Sequence, residues 1–138
     1  MTKRQNILAH TLVMTVFVFA QLSGANGFDL TGAWASDAAN CSRVFKRNGK
    51  GVAFAKNSEV YGSGFIIDRD QIIGRSVRCR IKARRDGGSI SNLIAACATD
   101  IMLSSVQLSA RKVDANTFAR LFPGMDGMEI KYYRCSAH

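Results

Sequence analysis

Four cysteines bracket one strong turn signal, and that arrangement constrains the chain more than any other feature of it. Cys79 and Cys97 lie equidistant from Gly88 in the run Asp86-Gly87-Gly88-Ser89. A hairpin folded there sets the two cysteines opposite each other on adjacent strands. Four cysteines allow three pairings. The turn favours Cys79 with Cys97, and Cys41 then bonds Cys135, tying the start of the domain to its last strand. An even cysteine count in a small exported domain reads as disulfides rather than free thiols. Chain-entropy arithmetic assigns about 3 kcal/mol to the short loop and about 5 kcal/mol to the long one. Both are large beside a typical folding stability of roughly 5–15 kcal/mol.

The expectation of export comes from the N-terminus. Lys3 and Arg4 precede the apolar run from Ile7 to Leu22, and small residues follow at Ser23, Gly24, Ala25 and Gly27. That is the layout of a signal peptide, with cleavage expected before Phe28. The run is short for a membrane span, which needs about 20 apolar residues, and it carries His10 and Gln21. Residues 28–138 are therefore expected to form one exported domain, periplasmic or secreted, with no stable membrane insertion after cleavage. Loss of Lys3 and Arg4 with no acid lowers the net charge from +9 to +7, so the domain stays basic.

Phe28 to Trp34 alternates loosely and reads as a first strand. Ser36 or Asp37 can cap a short helix in which Cys41, Val44 and Phe45 fall at i, i+3, i+4, with Lys46 and Arg47 at its end and Gly49 as its stop. From Val52 onward the period is two, with turn residues every eight to twelve positions, an all-β pattern. The strands expected are Gly51–Lys56, Ser63–Asp68, Gln71–Arg75 continuing into Val77–Arg84, Asn92–Thr99, Ser104–Lys112, Thr117–Phe122 and Met128–Arg134. Arg69-Asp70 and Asp114-Ala115-Asn116 mark turns, and Pro123 falls between strands. About eight short strands must close or stack to avoid bare edges. The fold expected is all-β, a small up-and-down antiparallel barrel with one short N-terminal helix and two disulfides, the alternative being a two-sheet sandwich.

Arg78, Arg80, Lys82 and Arg84 alternate with Val77, Cys79, Ile81 and Ala83, so an uninterrupted strand places four cations on one face. Arg75 and Arg85 extend that patch. With the turn centred on Gly88, the face continues onto Ile94, Ala96 and Ala98, a mixture suited to the mouth of a cavity holding an anionic ligand. The same stripe also suits a solvated outer wall that discourages edge pairing. Nucleic acid is not expected, because no aromatic residues interleave the cations as stacking platforms.

Enzymatic chemistry finds few tools here. Past residue 27 the one histidine is His138 at the terminus, so neither a Ser-His-Asp nor a Cys-His arrangement is available, and cysteines in disulfides are not nucleophiles. Ser109-Ala110-Arg111-Lys112 matches S-x-x-K, but that chemistry needs a helix where this segment reads as a strand. Zinc-ligand spacing and phosphate-loop fingerprints are absent, so no metal and no cofactor are expected.

Leu30-Thr31-Gly32-Ala33-Trp34 resembles the G-x-W motif of the lipocalin and avidin barrels, in which the tryptophan packs at a barrel end beside the first strand. That resemblance implies a late-strand arginine packed on Trp34, for which Arg120 and Arg134 are the candidates. The domain is also similar to a family of small exported proteobacterial proteins. The residues that carry the similarity are Trp34, Cys41-Ser42-Arg43-Val44-Phe45, Tyr61-Gly62-Ser63-Gly64-Phe65-Ile66-Ile67, Arg78-Cys79-Arg80-Ile81-Lys82 and Tyr133-Arg134-Cys135. It implies export and paired cysteines and brings no assigned activity.

The resulting expectation is a non-catalytic binding module for a small or anionic ligand, with Arg78, Arg80, Lys82 and Arg84 as its site. The rival is an interaction protein docking its basic face on an anionic envelope component or an acidic protein. An open interior lined by the stripe favours the ligand. A filled interior favours the surface.

Overall fold

A computed structural model describes residues 27–136. The expected signal peptide, apart from Gly27, lies outside the described residues, as does His138. Eight strands close a barrel in the order β1 (Gly32–Ala35), β10 (Glu129–Cys135), β9 (Thr117–Leu121), β8 (Leu103–Lys112), β7 (Ile90–Ala98), β6 (Arg78–Gly87), β5 (Gln71–Ile73) and β4 (Gly64–Asp68). Every neighbouring pair is antiparallel, including β1 with both β10 and β4. The barrel thus removes the edges that a sheet of this length otherwise exposes. Its interior is packed by Trp34, Ile67, Leu93, Leu108 and Phe118, contributed from inward-facing positions of their strands, together with Leu30 from the segment before β1.

Both disulfides join the expected partners, Cys41 with Cys135 and Cys79 with Cys97. The second links residues directly opposite each other on β6 and β7.

Three local expectations are corrected. The helix spans only Cys41–Val44, preceded by a 3-10 turn at Ala38–Asn40 that Asp37 caps. Phe45–Asn48 (β2) then turns back on Gly51–Phe54 (β3), with Gly49 at φ +59° in the hairpin turn rather than at a helix stop. A one-turn i, i+3, i+4 pattern is too short to separate a helix from the start of a strand. Second, Phe28 to Thr31 does not join the sheet; it folds across one barrel end, with Leu30 buried. Third, β5 and β6 are two antiparallel strands rather than one, joined by a turn in which Gly74 N–H donates to Val77 C=O at 2.8 Å.

The short helix and the β2–β3 hairpin cover the outside of β1 and β4. There Val44 and Phe45 pack on Ala33, Ala35, Ile66 and the Cys41–Cys135 bridge. Gly64 makes that approach possible. A Cβ at this position would sit 2.8 Å from the Trp34 carbonyl oxygen and 2.9 Å from the Phe45 ring.

Candidate functional site

Inward-facing side chains fill one end of the barrel and leave the other open. The filled end is built from the crossing segment Phe28 to Thr31 and from two arginines that hold it. Trp34 Nε1 donates to Leu30 C=O at 2.7 Å, and the Phe118 ring meets the indole edge-on at 4.8 Å. Arg134 is the arginine over Trp34, its guanidinium 4.3 Å from the ring centroid. The same group donates to the carbonyls of Asp29, at 2.8 Å, and Thr31. Arg84 reaches the same segment, donating through Nη2 to Phe28 C=O at 2.9 Å, and its Nε pairs with the Asp86 carboxylate. The Ser91 hydroxyl donates to Asp86 as well.

These contacts shift two carboxyl groups. The backbone N–H of Thr31 is the main influence on Asp29 and holds its pKa below the usual aspartate value, helped by Arg134 and Arg84. For Asp86, partial desolvation pushes upward, but the Ser91 and Arg84 hydrogen bonds and the Arg84 charge outweigh it, so the net shift is downward.

The position of Arg84 corrects the expected single-faced stripe. Ile81 pairs with Ala95, yet Ala83 pairs with Ile94, so Lys82 is one extra residue in β6. Such a bulge reverses the side-chain alternation beyond it. Arg78 and Arg80 stand on the outer wall opposite Ala98 and Ala96, whereas Arg84 lies opposite the buried Leu93 and turns inward. Arg85 takes the outward place instead, opposite Asn92. Arg75 leaves the patch altogether; it lies in the β5–β6 turn, over the Phe54 ring, and donates to Gly62 C=O.

The open end holds a cavity of about 350 Å³, walled by Phe65, Ile72, Val106, Leu108, Tyr132 and the Cys79–Cys97 bridge. None of Arg78, Arg80, Lys82 and Arg84 lines it, and no carboxylate does. The one charged side chain in the wall is Arg120, on the inner face of β9 two positions from the fully buried Phe118. Its guanidinium lies 4.9 Å from the Phe122 ring centroid, and its buried Nε has no hydrogen-bond acceptor. Large exposed apolar residues lie on three connections, Val60 and Tyr61 before β4, Ile101 to Leu103 between β7 and the start of β8, and Met125 with Met128 between β9 and β10. Sequence reasoning raised Arg120 only as a partner for Trp34. Period-two placement beside Phe118 is the signal that puts it inside the barrel.

Among the described residues no cluster of His, Cys, Asp or Glu could hold a metal ion, and no helix is long and apolar enough to cross a membrane. Family models, curated proteins and solved structures offer no match to this chain.

Proposed function

We propose that the chain is an exported, non-catalytic binding module that holds a small apolar or amphiphilic molecule inside its barrel, a lipocalin-like use of the architecture. The observation that carries this reading is the apolar cavity of about 350 Å³, open at one end of a barrel whose other end is sealed. Small-molecule sites occupy concave, mostly apolar spaces of about 300–1,000 Å³ with a few placed polar groups. Each methylene group transferred there from water contributes about 0.8 kcal/mol. Two disulfides and the basic-apolar-small layout of residues 1–27 support export.

The test is saturable binding of a neutral dye that fluoresces in apolar surroundings, N-phenyl-1-naphthylamine, to the oxidised domain. Wild type is expected to bind it. Val106→Trp, which fills the cavity from β8, is expected to abolish binding with an unchanged far-ultraviolet circular dichroism spectrum. Absence of dye binding by wild type would overturn the proposal.

A second reading has its own observation. Arg78, Lys82 and Arg85 are exposed on the outer wall without an ion-pair partner among the described residues, and Arg80 has only Asp70, at 3.8 Å. That wall suits docking on an anionic envelope component or an acidic protein. Retention on a polyanion matrix should then fall with salt and disappear when Arg78, Arg80 and Lys82 are replaced by Ser.

A further inference from the structure

We infer that Arg120 is the anchor for the ligand's head group, which makes the ligand an amphiphile carrying one carboxylate; this inference rests on the cavity reading above. Strand β9 places Phe118 and Arg120 on the inner face in succession, Phe118 in the packed interior and Arg120 one step nearer the mouth. Arg120 lies opposite Ala110 of β8, and the small side chain there leaves the space that the guanidinium occupies.

The two inward-facing arginines of β9 and β10 have opposite employment. Arg134 uses its guanidinium on Trp34 and on two backbone carbonyls. Arg120 has no ion pair and no hydrogen bond among the described residues, and its Nε is closed off from solvent. A buried polar donor left without an acceptor costs about 1–3 kcal/mol, and more when charged. The Phe122 ring 4.9 Å away supports the guanidinium without satisfying its N–H groups.

The surrounding wall selects what completes this arrangement. Phe65, Ile72, Val106 and Leu108 demand an apolar body, and the absence of any carboxylate in the lining leaves the positive charge unmatched. A carboxylate meets the planar guanidinium with two oxygens while its hydrocarbon part enters the cavity.

The experiment displaces N-phenyl-1-naphthylamine from the oxidised domain with decanoate and with 1-decanol, which share one chain length and differ in the head group. Decanoate is expected to displace the dye at a concentration roughly 10-fold or more below that of decanol, as a charge-assisted hydrogen bond implies. Arg120→Met keeps an apolar stem of similar length, and it is expected to erase the preference, read as the ratio of the two displacing concentrations on the variant itself. Arg78→Ser, on the outer wall, is expected to preserve the preference. Equal displacement by the two competitors on wild type, which needs no variant, overturns the anchor and leaves the cavity reading standing. A preference retained in Arg120→Met also overturns it. Failure of wild type to bind the dye overturns both readings.

Discussion

Arg80 and Arg84, four positions apart on one strand, stand on opposite sides of the barrel wall. Arg80 lies opposite Ala96 with its side chain in solvent, and Arg84 lies opposite the buried Leu93, holding Phe28 C=O and Asp86. The extra residue at Lys82 separates them. A stripe of like charges is thereby divided into an outer set, free to meet a partner, and an inner member that seals the barrel.

The division predicts unequal costs for the same substitution. Arg80→Ser, which loses only an exposed 3.8 Å contact with Asp70, should change stability by less than about 0.5 kcal/mol. Arg84→Ser removes charge-assisted hydrogen bonds at the sealed end and should cost about 2 kcal/mol. Urea unfolding of the two variants measures the difference, and equal midpoints would contradict the inward assignment of Arg84.

Arg134→Met should destabilise the domain by roughly 2–3 kcal/mol, through the loss of the Trp34 ring contact and of the hydrogen bonds to Asp29 and Thr31. Trp34 is the sole tryptophan, so its fluorescence reports this end alone. The emission of the variant should move to longer wavelength as the crossing segment loosens. An unmoved spectrum with unchanged stability would show that Arg134 does not hold the cap.

Acid should open the same end. Asp29 and Asp86 are both held below the ordinary aspartate pKa in the folded state. Their stabilising contribution is complete above the unfolded value of about 3.9 and is lost as pH falls through the depressed folded values. Urea midpoints followed downward from pH 6 should be level at first and decline below about pH 4. Asp86→Asn should start from a lower midpoint and decline less steeply. A variant with the wild-type slope would remove Asp86 from the explanation.

The two disulfides should differ in weight. The Cys41–Cys135 bridge closes a separation of 94 residues and the Cys79–Cys97 bridge one of 18. Double replacement by Ser should cost up to about 5 kcal/mol for the first pair and about 3 kcal/mol for the second on loop-closure grounds. Denaturant titrations of the two variants under oxidising conditions check the order. The long bridge also fixes the helix and the β2–β3 hairpin to the last strand, so its loss should expose Val44 and Phe45 to an apolar dye.

Much of the fold was legible in the chain because its determinants are local. Alternation from Val52 onward and turn residues such as Arg69-Asp70 and Asp114-Ala115-Asn116 locate most strands, and closure follows from the need to pair their edges. The Cys79–Cys97 pairing was read correctly from a register that is off by one at the turn. The hairpin pairs Gly87 with Ile90, placing its centre beyond Gly88, and the extra residue at Lys82 restores the alignment before the cysteines are reached. The stripe gave no sign of that residue, since Arg78, Arg80, Lys82 and Arg84 keep perfect alternation in the sequence.

The amino-acid order by itself determined a basic, all-β chain with two defined cross-links and no imidazole to drive catalysis in residues 28–137, because composition and short-range periodicity act residue by residue along the backbone. Only the tertiary structure decided which arginine turns inward, which of Arg120 and Arg134 holds the tryptophan, and which is left facing an open apolar space. Those outcomes depend on registers summed around a closed ring of strands, where one added residue reverses a face and where an acceptor for a buried N–H must come from a segment far away in the chain.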